Sequence, residues 1–107
     1  MTKIPRINEI NPCYMPDGHW FDSDGDEVWI KDGKYHREDG PATISPIWGK
    51  RWRQHGHFHR VDGPAIIWDD GFVEWYYNGN AYLFDEWLEA NDYITDSQKV
   101  FLKLKYG

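Results

Sequence analysis

A tryptophan returns every 23 residues in this chain, at Trp29, Trp52 and Trp75, with Gly33, Gly56 and Gly79 and then His36, His59 and Tyr82 in the same register. A period of that length marks one supersecondary unit stacked on copies of itself, so it restricts the chain to repeat architectures. The best-matched stretches, 33–42 and 56–65, share the pattern Gly-x-x-His-Arg-x-Asp-Gly-Pro-Ala and are identical at seven of ten positions.

Within each unit, β-branched and aromatic residues fill short runs. Residues 27–30, 50–53 and 73–77 form one set, 42–44 and 65–68 the other, with Asp-Gly, Asn-Gly and Gly-Pro between them. That alternation predicts a mainly β fold, an antiparallel meander of hairpins. A glycine also precedes each tryptophan, Gly25, Gly49 and Gly71, the middle one displaced by a residue, which predicts a shortened turn near Trp48. In Asp39-Gly40-Pro41 and Asp62-Gly63-Pro64 the aspartate suits an Asx-turn, the glycine a positive φ and the proline a fixed one. Arg37 and Arg60 stand two residues before those aspartates, close enough to bridge the turn or lie across a tryptophan face. A group that recurs once per hairpin is explained by the hairpin itself. The repeated His36, Arg37, Asp39, Gly40 and Pro41, with His59, Arg60, Asp62, Gly63 and Pro64, are therefore expected to be structural.

The pattern Trp-x-x-x-Gly-x-x-His-Arg-x-Asp-Gly-Pro-Ala resembles repeats in small proteins of tailed bacteriophages and some bacteria, which are themselves similar to MORN-like hairpin repeats. The resemblance covers about residues 20–84, two full units with a partial one on each side. It implies a binding scaffold in a phage-infected bacterium. The last unit departs from the pattern, since Tyr82-Leu83-Phe84-Asp85 replaces His-Arg-x-Asp and no Gly-Pro-Ala follows. An Asn-Gly turn, a Trp-containing helix and a Leu-rich basic helix close the chain, an ending that also resembles the phage proteins.

At 107 residues there is room for one core and one domain. Residues 1–19, with Pro5, Pro12 and Pro16, read as an extended arm, 20–84 as the repeat array and 85–107 as a helical cap. Asp85 suits the cap of a helix through Glu86–Ala90, with Trp87 and Leu88 facing the sheet and Asn91 stopping it. Thr95-Asp96-Ser97-Gln98 fits a capping box for a helix to about Tyr106. Val100, Phe101 and Leu104 line one side of that helix and are expected to pack, with Lys99, Lys103 and Lys105 elsewhere.

A net charge of −6 opposes binding to duplex DNA or RNA, which needs gathered cations. No apolar run is long enough to span a bilayer, and the first residues lack the pattern of a secretory signal, so a cytoplasmic location is expected. The lone Cys13 leaves no internal disulfide and no cysteine-based zinc site within one chain. His55, His57 and His59 alternate, but Gly56 falls at a turn and spoils a three-histidine metal site. Asp22, Asp24, Asp26 and Glu27 crowd around Gly25, yet Gly33 stands where an EF-hand needs glutamate. No serine, threonine or cysteine sits in a nucleophile motif, and no glycine-rich loop opens a helix. Neither catalysis nor a cofactor is expected.

What remains is a rigid sheet rich in tryptophan, tyrosine and arginine, the residue types that dominate interface energy. Trp48, Arg51, Trp52, Arg53 and Tyr77 are the candidate binding residues, and the expected partner is a host protein that the chain binds and blocks. The alternative is a sponge that sequesters a small nucleotide between aromatic rings and arginines. An acidic mimic of DNA ranks lower, because the carboxylates cluster in turns. Open strand edges leave room for a homodimer.

Overall fold

A computed structural model describes residues 12–22 and 25–107. After a single 3-10 turn at Pro12–Tyr14 come ten short strands: β1 Gly18–Phe21, β2 Glu27–Lys31, β3 Lys34–Tyr35, β4 Thr43–Ser45, β5 Gly49–Arg51, β6 Arg53–Gln54, β7 His57–Phe58, β8 Ile66–Ile67, β9 Val73–Tyr77 and β10 Asn80–Tyr82. Helices α1, Phe84–Ala90, and α2, Asp96–Tyr106, follow. Eight strands form one sheet in the order β1-β2-β4-β5-β8-β9-β10, with β3 also on β2, and β6 pairs with β7 separately. Every pairing is antiparallel. The chain is therefore mainly antiparallel β with two short C-terminal helices.

The register explains the period. The Trp29 N–H donates to the Ala42 carbonyl at 2.8 Å and the Trp52 N–H to the Ala65 carbonyl at 2.7 Å, so each tryptophan pairs through its backbone with a fully buried alanine just before the next strand. Over Trp29 lies the Arg37 guanidinium, 3.8 Å from the ring centroid. Its Nε donates to Asp39 at 2.9 Å and its Nη1 to the Pro41 carbonyl at 3.2 Å. Arg60 repeats the device over Trp52 at 3.8 Å, with Asp62 at 2.8 Å and the Pro64 carbonyl at 3.0 Å. The hydrogen bond from Arg37, and then its charge, lower the Asp39 carboxyl pKa from its ordinary value.

This clamp gives the glycines a different role from the one expected. Gly40 and Gly63 do not have positive φ; a Cβ would sit 2.9 Å from Arg37 Cζ at one and 2.7 Å from Arg60 Cζ at the other. They are bare so that the guanidinium can come down on the backbone. The aspartate likewise spends its Oδ1 on the arginine Nε rather than on an Asx-turn.

A second device links unit to unit. Asp32-Gly33, His55-Gly56 and Asn78-Gly79 all have positive φ at both residues, as two-residue hairpin turns require. His36 Nδ1 accepts from the His55 N–H at 2.9 Å and His59 Nδ1 from the Asn78 N–H at 2.8 Å, so each unit's histidine closes the next unit's turn. Asp17 does the same for the first, accepting from the Asp32 N–H at 2.8 Å. Burial pushes the His59 pKa below its ordinary value.

In the third unit Leu83 occupies the register position of Arg37 and Arg60, and the helices cover Trp75 instead. Phe84, Trp87 and Tyr106 ring it at centroid distances of 4.7, 4.6 and 5.1 Å, with Leu88 and Leu102 completing the cluster. The buried Asn91 ties the cap to the array, donating from Nδ2 to the Val61 carbonyl at 2.7 Å. Thr95 and Gln98 form the expected capping box.

Three expectations change. The N-cap of α1 is Leu83, not Asp85: the Glu86 carboxylate reaches back to the Leu83 N–H at 3.1 Å, and Asp85 lies in the first turn near the positive end of the dipole. The packed side of α2 is Leu102 and Tyr106, one turn apart and both drawn to the Trp75 cluster, which rotates Val100, Phe101 and Leu104 into solvent at 58, 64 and 83% exposure. At the other end β1 begins at Gly18, inside the stretch read as an arm, and residues 1–11 of that arm lie outside the described residues.

Arg60→Ala is expected to lower the unfolding free energy by about 2 kcal/mol, the loss of a charged hydrogen-bonded fork and a ring contact. Arg37→Ala should cost less, because His19 also stacks on Trp29 at 4.1 Å; urea denaturation of both variants checks the order. The depressed pKa of His59 sets a sign as well. Above about pH 6.5 the residue is neutral in both states, and below it the unfolded chain takes up a proton that the folded chain resists. Stability should therefore fall as the pH drops through that value until His59 protonates in the folded chain, and His59→Gln should flatten this limb of a Tm-against-pH profile.

Candidate functional site

The tight turns lie at one end of the sheet and the connections 22–26, 46–48 and 68–72 at the other. The middle connection is the shorter one, as the displaced glycine predicts. The buried Ser45 hydroxyl accepts from the Ile47 N–H at 3.2 Å and the Trp48 N–H at 3.0 Å. Gly49 has φ +88°, and a Cβ there would strike the Ile67 carbonyl. So braced, the turn holds Ile47 and Trp48 out from the sheet, 60 and 57% exposed.

On the neighbouring strands the β8–β9 connection is braced in its own way. The Trp68 N–H donates to the Phe72 carbonyl at 2.8 Å and the Phe72 N–H to Asp70 Oδ1 at 3.0 Å. Trp68 Nε1 donates to Glu74 Oε2 at 2.6 Å, and the Arg51 guanidinium lies over the Trp68 ring at 4.7 Å. Phe72 is left 64% exposed. Between the two connections runs a groove of about 510 Å³ lined by Ile47, Trp48, Trp68, Asp69, Asp70, Phe72 and Glu74. Its chemistry is apolar with carboxylates at the rim, suited to an apolar side chain flanked by positive charge.

The five candidate binding residues do not form one face. Trp48 is on the groove and Arg51 behind its wall. Trp52 lies under Arg60 in a separate cleft of about 380 Å³ between the two Asp-Gly-Pro turns, with Arg37, Gln54 and His59. Arg53 is held between Tyr35 and Phe58, 5.2 and 4.2 Å from their centroids, where burial lowers its pKa. Tyr77 packs beside His59 and Tyr93 against the helical cluster, and burial raises its hydroxyl pKa. The groove instead recruits Ile47, Trp68, Asp69, Asp70, Phe72 and Glu74, mostly loop positions outside the repeated motif; the displaced Gly49 is the one sequence signal that pointed to them.

His55 sits in its turn at φ +52° and His59 is taken by Asn78. Among the described residues no group of three His, Cys, Asp or Glu converges as metal ligands. At the first connection Asp22 Oδ1 accepts from the Asp26 N–H at 3.0 Å, while Asp24 lies outside the described residues. Among the described residues no helix is long and apolar enough to cross a membrane. Comparison with family models, curated proteins and solved structures finds no match to the chain.

The bracing of the groove is testable at two glycines. Gly71 has φ +92° with open space where a Cβ would stand, whereas Gly49 combines its φ with the carbonyl clash. Gly71→Ala should cost about 1 kcal/mol and Gly49→Ala about 3 kcal/mol in denaturant unfolding followed by tryptophan fluorescence.

Proposed function

We propose that the chain is a small non-enzymatic interaction protein of the bacteriophage type, built from MORN-like hairpin repeats, that binds and blocks a protein of the host cell. The observation that carries this reading is the gathering of Ile47, Trp48 and Phe72, all more than half exposed, around one groove. Apolar side chains collected in this way mark docking sites, and an aromatic anchor in a concave, desolvated setting supplies most of the energy of such contacts. Asp69 and Asp70 at the rim, on a chain of net charge −6, favour a partner that presents lysine or arginine beside its apolar anchor. The hydrogen bonds of Ser45 and Asp70 support the reading by bracing the two connections, so that little ordering is lost on binding. A phage-encoded chain would act in the host cytoplasm, a setting that rests on the resemblance of the repeats.

The nucleotide sponge has its own support in the cleft around Trp52. There, however, both guanidiniums already serve an aspartate and a proline carbonyl, so a phosphate would compete with the fold itself. The protein partner is therefore preferred.

Native mass spectrometry of the tagged chain captured from a bacterial lysate separates the two readings. The expected result is a stoichiometric protein partner that is lost in the Trp48→Ala, Phe72→Ala double variant, while the stability of that variant stays within about 0.5 kcal/mol of the parent, as for exposed substitutions. A bound nucleotide that survives this double substitution and disappears with Trp52→Ala would overturn the reading in favour of the sponge.

A further inference from the structure

In the first two units the central strand is paired on its far side by the next strand of the repeat. On β2, Glu27 faces Ile44, Val28 faces Thr43 and the Trp29 N–H donates to Ala42. On β5, Lys50 faces Ile67, Arg51 faces Ile66 and the Trp52 N–H donates to Ala65. The third central strand, β9, has β8 on one side, but on the other β10 pairs only with Trp75–Tyr77. Among the described residues no strand lies against the outer side of Val73 and Glu74. The Glu74 carbonyl accepts from the N–H of Ala65, just before β8, at 3.0 Å, so by the alternation of a strand the polar backbone groups of Val73 point to the open edge. A groove of about 220 Å³ follows this edge, bounded among others by Phe72, Val73, Trp75, Leu83 and Phe84.

We propose that this half-strand is a docking site for an extended segment of a partner protein, of the form small residue, basic residue, β-branched residue, which adds to the sheet where 42–44 and 65–67 add in the earlier units. The chain carries two bound examples of such a segment, and they define its ends. Ala42 and Ala65 pair through their carbonyls with the tryptophan N–H and are wholly buried, so the residue paired with Trp75 is small. Ile44 and Ile67 stand opposite Glu27 and Lys50, so a β-branched residue falls opposite Val73. The middle position is set by charge: it faces Glu74, whose Oε2 is fixed by Trp68 Nε1, and an opposite charge directly across a strand pair is favourable while a like charge is not. Main-chain bonds to the edge supply affinity and alternate side chains supply selectivity. The site runs along the strand edge, shares Phe72 and Glu74 with the lining of the aromatic groove, and does not depend on the function proposed for that groove.

The test titrates the full-length, 15N-labelled chain with the peptide of residues 63–68 bearing Ile66→Arg. Saturable shifts at the amides of Val73, Glu74, Trp75 and Leu83 are expected. Binding should be about 3-fold tighter than for the unsubstituted peptide, a difference that Glu74→Gln in the protein removes, and N-methylation of the peptide's Ile67 should abolish it. An absence of shifts at millimolar peptide, shifts confined to Ile47 and Trp48, or equal binding of the N-methylated peptide would each overturn the proposal, and equal binding of the arginine and isoleucine peptides would overturn its charge selection.

Discussion

Each full unit depends on one planar cation wedged between an indole and a turn. Exposed ion pairs contribute little on their own, but Arg37 and Arg60 have side chains only 23 and 19% exposed, and each combines a carboxylate, a backbone carbonyl and a ring. The guanidinium is suited to this because it is flat, always charged and rigid in the placement of its donors, which an ammonium is not. By bonding the proline carbonyl it also folds the chain back, so that the alanine after the proline arrives opposite its own unit's tryptophan. The clamp therefore works within a unit, while the histidine-closed turns work between units, and a sheet of strands only two to five residues long holds together through the pair of them.

The logic of the array was legible because it is local. The 23-residue period, the strands at 27–30 and 73–77, Arg37 and Arg60 over their indoles and the Thr95 capping box all follow from residues within a few positions of one another. Where a contact is distant, local pattern misleads. Two stripes compete for the inner side of α2, Leu102 with Tyr106 and Val100 with Phe101 and Leu104, and the choice is made by Trp75, which lies across the fold. Gly40 and Gly63 look like positive-φ glycines until the arginine above them is seen. The groove was hardest to read, because attention to the register favours Trp52, Arg53 and Tyr77, whose side chains the repeat itself consumes, over Ile47, Asp70 and Phe72 in the connections it leaves free.

That division has a functional meaning. Residues that recur are committed to clamps, turns and the core, so what varies between units is available for recognition. The connections 46–48 and 68–72 differ in length and brace themselves by different bonds, yet both present exposed apolar side chains to the same groove. A repeat scaffold that keeps its register and alters its loops can change partner without changing fold.

The end of the array follows the same rule with opposite effect. With Leu83 in place of the arginine, no guanidinium covers Trp75 and no turn returns the chain to β9; the helices take over the face of the strand but not its edge. An open edge invites pairing with another copy, and Glu74 bears on that hazard, since a copy that paired through the same residue would place two carboxylates opposite each other, the second oxygen of each already fixed to Trp68. The charge that discourages self-association is the one that favours a basic strand, so blocking the wrong partner and selecting the right one can reside in a single side chain.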